Sequence, residues 1–112
     1  MPKSQIVRRP LLTAEIGERT ITRVEVREIA FEPGQATGRH QHPCPVISYV
    51  VEGTAVVQEE GGSAREIHAG QSVYEPAGVV IARFDNPSST QTMKFIAHYL
   101  LDGDQPLIEM FE

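Results

Sequence analysis

The chain has no tryptophan and a single cysteine, Cys44. One thiol excludes an intrachain disulfide, so the fold must be held by its core, as is usual in a reducing compartment. No apolar run approaches the ~20 residues of a transmembrane helix. No apolar leader follows the opening Met1-Pro2-Lys3-Ser4-Gln5. A cytoplasmic chain with no membrane contact is the expectation. Positive charge is scarce as well. Ten Lys and Arg stand against fifteen Asp and Glu, a net charge of -5 with His neutral. The nearest basic cluster is Arg8-Arg9, cut short by Pro10. Sequence-independent nucleic-acid binding needs far more clustered charge, so no nucleic-acid partner is expected. Also missing are a Gly-x-Ser-x-Gly elbow and any glycine-rich phosphate loop, which argues against a nucleophilic hydrolase or a nucleotide enzyme.

Sustained helical periodicity is lacking throughout. Gly and Pro punctuate the middle of the chain instead, and short β-rich runs lie between them. Thr20 to Phe31, Val46 to Val51, Thr54 to Glu59, Arg65 to His68, Ser72 to Glu75, Val79 to Phe84 and Met93 to Leu101 all read as strands. Glu60-Gly61-Gly62-Ser63 reads as a hairpin loop and Asp85-Asn86-Pro87-Ser88-Ser89 as a longer one. In the first strand, Val24 and Val26 share one parity while Ile29 and Phe31 share the other, which predicts a bulge or bend. With 112 residues, 40% of them apolar, the chain suffices for one domain with a real core. Regular turns between many short strands indicate an all-β sandwich or barrel.

The residues that carry chemistry are His40 and His42. In an extended strand, positions i and i+2 point to the same face. Two imidazoles side by side after a Pro33-Gly34 turn suggest two ligands of one metal ion.

Gly34, five residues, His40-Gln41-His42, then an apolar strand ending at Gly53, resembles the first motif of the cupins. Gly70, five residues, Pro76-Ala77-Gly78 resembles the start of the second. The resemblance spans roughly residues 30 to 101. It implies a cupin-type double-stranded β-helix, or jelly-roll sandwich, around one pocket. It also implies a single domain over 1–112, with N-terminal strands in 1–32, the motif core in 33–101 and an irregular tail in 102–112. A metal-binding cupin supplies two His and one Glu or Gln from the first motif and one His from the second. Those last two positions fall here on Val46 and Ile81, which cannot ligate. Asn86, or Asp85, falls in the region of the closing Asn.

Two ligands hold a transition metal weakly, so others are needed. Glu75, Gln58 and His98 are the candidates, with Tyr74 and Cys44 weaker ones. Each has a plainer reading: Glu75 and Gln58 as solvated strand-end residues, His98 as a hydrogen-bonded strand residue, and Cys44 as a small apolar residue. His68, at a turn, is expected to be exposed. If a metal acts, it is Fe, Mn, Ni or Zn, activating O₂ or polarising a small oxygenated substrate in dioxygenase-like or isomerase-like chemistry. The alternative is a metal-free small-molecule binder with a degenerate site. Its pocket would be lined by Val46, Val50, Val79, Ile81 and Tyr74, with a histidine as hydrogen-bonding group or general base. The resemblance further implies a homodimer. The apolar Ile6 to Leu12 segment and a last strand apolar on both parities suit a covered face.

Overall fold

The computed structural model describes residues 4–111; the Met1-Pro2-Lys3 start of the expected N-terminal region and Glu112 of the expected tail lie outside the described residues. Nine strands form: β1 (Arg23–Phe31), β2 (His40–Gln41), β3 (Val46–Glu52), β4 (Thr54–Glu59), β5 (Arg65–His68), β6 (Ser72–Glu75), β7 (Ile81–Asp85), β8 (Met93–Leu101) and β9 (Glu109–Met110). Every pairing is antiparallel. The strands make two sheets, ordered β1-β8-β3-β6 and β5-β4-β7-β2-β9. This is the expected all-β double-sheet jelly roll. There is no helix among the described residues.

The core lies between the sheets. β8 shows why these residues form strands: Met93, Phe95, Ala97, Tyr99 and Leu101 are buried, and the residues between them are half-buried. That alternation is the period of a pleated strand with one face on the core. On β3 the inward set is Val46, Ser48 and Val50.

Three expectations need correction. First, β1 has no bulge. It pairs with β8 in unbroken register from Arg23↔Leu101 to Phe31↔Met93. Arg27, Ile29 and Phe31 line the space between the sheets. Val24 and Val26 lie on the other face, 54% and 56% exposed. The parity change in the sequence therefore marks apolar residues on two faces of one straight strand. The real register shifts occur between Val50 and Glu52 on β3 and between Gln58 and Glu59 on β4. Second, residues 4–22 carry no strand, so the N-terminal strand region begins only at Arg23. Third, the tail is not wholly irregular: β9 pairs with β2 through His40↔Met110 and Gln41↔Glu109.

Gly53 closes the β3–β4 connection with φ +75°. A Cβ there would stand 2.7 Å from the Thr92 carbonyl oxygen and 3.1 Å from Met93 Cα, both rigid backbone. Gly34 has a similar φ of +78° but nothing within 4 Å. Gly34→Ala should therefore cost only the left-handed penalty, about 1–2 kcal/mol. Gly53→Ala should cost clearly more, because strain and a backbone clash add. Urea unfolding midpoints of the two variants check this ordering.

Candidate metal centre

His40 lies on β2, and its Nδ1–H donates to the Gly38 carbonyl at 2.7 Å. His42 follows the strand, and its Nδ1–H donates to the Leu107 carbonyl at 2.6 Å. A carbonyl can only accept, so each Nδ1 carries the proton. In the neutral rings, both Nε2 atoms then present lone pairs.

Those lone pairs converge on Glu75 at the end of β6. His42 Nε2 is 2.6 Å and His40 Nε2 3.6 Å from Glu75 Oε2. One ligand atom from each residue lies within 4.8 Å of the others. Burial is nearly complete, with His40, His42 and Glu75 at 2%, 5% and 3% exposure. Glu75 Oε2 is buried without a hydrogen-bond partner. The short approach of His42 does not satisfy it, because an Nδ1-protonated neutral imidazole brings a lone pair rather than a proton to that oxygen. Three electron-rich atoms facing one another out of water are costly unless a cation or a proton joins them. A divalent metal fits this donor set: two neutral imidazoles and a carboxylate, each imidazole oriented by a carbonyl behind it.

The protonation preferences agree with a cluster that wants positive charge. Burial pushes the His40 imidazole down, but the Glu75 carboxylate and the Gly38 carbonyl outweigh it and raise its pKa. Burial pushes the Glu75 carboxyl up, yet hydrogen bonds and positive charge from the two imidazoles in their protonated form prevail and hold it below the usual carboxylate value. Burial, and then the charge of Glu75, push the Tyr99 phenol up. Its ring packs edge-on against His42, with centroids 5.9 Å apart.

Of the other sequence candidates, Val46 lines the adjoining cavity. In sheet register it stands directly opposite Glu75. The position where the resemblance implies an acid thus carries Val46, and the residue facing it across the sheet is an acid, Glu75. Ile81 lies opposite His40 and is buried in the core, as is Val50; neither lines the cavity. Val79 packs on the core's margin. Tyr74, one residue from Glu75, is on the other face of β6 and lines a surface cleft with Leu12 and Pro76. Gln58 Nε2 donates to the Gly62 carbonyl within its own hairpin. His98 has the outward parity of β8, and its Nδ1–H donates to the Ile47 carbonyl. Gln58 and His98 are therefore not brought to the cluster. Cys44 is fully buried, and burial raises its thiol pKa, as for an inert core residue. His68 is exposed and meets Glu66 and Thr54.

The cavity beside the cluster has a volume of about 290 Å³. Ala97 and Ser48, paired on adjacent strands, are small residues in its lining. Phe31, Phe84 and Phe95 form one wall, and Leu107 and Ile108 from the tail form another. The sequence reading missed these residues. The strand parity of β8 groups Phe95 with Met93, Ala97 and Leu101, but it does not mark that face as a cavity wall. Nothing in the sequence indicated that a carbonyl at position 107 would orient His42, since any residue has one.

The family profile described as Cupin domain matches residues 27–99. The chain is 27% identical over 89 residues to a quercetin 2,3-dioxygenase of Escherichia coli (strain K12), covering 78% of this chain and 38% of that protein. It is 40% identical over 50 residues to an (R)-mandelonitrile lyase of Granulicella tundricola, covering 45% of this chain and 38% of that protein. It thus spans about two fifths of the length of these curated relatives. Among solved structures, a cupin-like protein from Thermotoga maritima superposes with a TM-score of 0.69 at 28% identity, covering 79% of this chain and 64% of that one. With a profile match over most of its length and the fold of a cupin-like solved structure, the chain belongs to the cupin family.

Proposed function

We propose that the protein is a single-pocket cupin that holds one divalent transition metal on His40, His42 and Glu75 and acts on a small organic molecule in the adjoining cavity. The observation that carries this reading is Glu75 Oε2, buried without a hydrogen-bond partner and faced by two imidazole nitrogens. Fe, Mn, Ni and Zn all suit such a donor set. Three protein ligands leave coordination positions free, as catalytic sites do. Bound there, the metal supplies Lewis acidity and a place for an oxygen ligand. The chain's own part is to orient both imidazoles through Gly38 and Leu107, to keep the carboxylate ionised and to exclude water with the aromatic wall. Its curated relatives are named as a dioxygenase and a lyase, so likeness supports small-molecule chemistry without choosing between a dioxygenase-like and an isomerase-like reaction.

A metal-free ligand-binding cupin is the second reading. It is favoured by the raised pKa of His40, because a proton on that ring also compensates Glu75. Metal analysis of tag-free protein separates the two. About one equivalent per chain is expected. It should be lost in His40→Ala/His42→Ala and in Glu75→Gln, and kept in Gln58→Ala and His98→Ala. Protein that takes up no metal from Fe, Mn, Ni or Zn solutions would establish the second reading.

The tail takes part in the same site. Met110 pairs with His40, Phe111 N–H donates to the Arg39 carbonyl, and the Arg39 guanidinium lies 4.8 Å from the Phe111 ring centroid. A chain ending at Pro106 loses the carbonyl that orients His42. Its metal affinity should fall roughly 10–100-fold, the usual cost of removing such a partner. Competition with a chromophoric chelator measures this, with circular dichroism as the folding control.

A homodimer completes the proposal. Val24 and Val26 expose their side chains on the outer face of the β1-β8-β3-β6 sheet, and the N-terminal segment adds exposed Ile6 and Val7. A second copy of the chain would cover both. Sedimentation at micromolar concentration should give a species of twice the 12.4 kDa chain mass. A lone monomer would rule the dimer out.

A further inference from the structure

We infer that the cavity takes a one-ring aromatic carboxylate, its anionic end on Arg27 and its other end facing His40, His42 and Glu75. This rests on reading the cavity as the ligand site, but it does not require the metal.

The inner face of the β1-β8-β3-β6 sheet is organised in cross-strand rows. Glu25, Tyr99, Val46 and Glu75 form one row, and Arg27, Ala97, Ser48 and Val73 the next. An arginine on an inward-facing position is unusual, because charged side chains avoid the core side of a sheet. Arg27 manages it by standing on an edge strand, with its side chain 57% exposed. Beside it, Ala97 and Ser48 leave the sheet's inner surface open. The second row is therefore a trough with a guanidinium at its outer end. Glu75 stands on the opposite edge strand, three strands away, or roughly 14 Å between backbones at the usual strand spacing. Side chains reach inward from both margins, and a molecule the length of one ring with a short substituent bridges what remains.

The charge at the mouth selects an anion. Glu25 lies between Arg23 and Arg27, at 3.4 Å and 2.5 Å, so two guanidinium groups share one carboxylate. The local sum is one positive charge on a protein whose net charge is -5. Arg23 Nε is already held by the Gly103 carbonyl. Arg27 uses only Nε toward Glu25, and neither of its Nη groups has a hydrogen-bond partner among the described residues. A planar pair of free N–H donors matches a carboxylate, which it binds with two parallel hydrogen bonds. A phosphate ester would bring a second negative charge with no second free cation to meet it.

Shape and wall chemistry select the body. A dry apolar cavity of about 150 Å³ is enough for benzene, and this one is about 290 Å³. That is ample for one ring with a short acid arm. Phe31, Phe84 and Phe95 pack on one another at centroid distances of 6.1, 5.7 and 4.9 Å, a rigid wall for edge or offset contact with a ring.

The test uses phenylacetate as the anionic probe and benzyl alcohol as the neutral one. Both are titrated by ligand-observed NMR and calorimetry into wild-type protein, Arg27→Gln and Ala97→Phe, with and without added Zn. Wild type should prefer the acid. Arg27→Gln should weaken phenylacetate at least about tenfold, the scale of a charge-assisted hydrogen bond, and leave benzyl alcohol unchanged. Ala97→Phe fills the trough and should abolish both. Metal content should be the same in wild type and Arg27→Gln. Equal affinity for acid and alcohol, unchanged acid affinity in Arg27→Gln, or no acid binding up to about 10 mM would overturn the inference. Arg27-dependent acid binding by protein that takes up no metal would sink the metal reading alone. Metal uptake without acid binding would sink this inference alone.

Discussion

Two imidazole lone pairs and a carboxylate oxygen meet at almost completely buried side chains, and the surrounding chain is arranged to hold them there. Gly38 and Leu107 engage the Nδ1 protons of His40 and His42, which turns both Nε2 atoms toward Glu75. The carbonyls come from distant parts of the sequence. Gly38 precedes β2, and Leu107 lies 65 residues after His42, in the segment leading to β9. The short β2–β9 pairing is therefore more than an edge decoration. It fixes the tail where one of its carbonyls decides a tautomer.

Sheet register explains why the cluster survives without a carboxylate on β3. In an antiparallel pair, directly opposed residues share a face and their Cβ atoms are about 5 Å apart. Val46 and Glu75 are such a pair. Moving the acid from one to the other keeps it on the core side and within side-chain reach of the same imidazoles. The second-motif position has no such rescue, because Ile81 lies opposite His40 itself. The result is a cluster of three candidate donors beside an apolar wall and the cavity.

The fold was legible because its signals are local. Strand parity, turn glycines and the two linked motifs each depend on a few neighbouring residues, and seven expected strands coincide closely with β1 and β3–β8. The His40-x-His42 pair was legible for the same reason. Glu75 could be named as a candidate but not ranked above Gln58 or His98. All three are polar residues on strands, and only register separates them. β6 turns Glu75 inward opposite Val46, β8 turns His98 outward, and the hairpin captures Gln58. The expected bulge in β1 is absent because its apolar residues stand on both faces of one straight strand. Here Val24 and Val26 mark the outer one, while the inner positions 25 and 27 hold charge.

That inversion in β1 ties the site to the rest of the surface. Inward positions on an edge strand normally complete the core. Here Glu25 and Arg27 hold charge at those positions, and Arg27 stands at the rim of the cavity with its charged end near water. The apolar residues displaced from the inside of β1 then stand outside, at 24 and 26, exposed on the sheet's outer face. An open, charge-rimmed cavity and an exposed apolar face are thus two consequences of one local choice: which parity of β1 carries the valines.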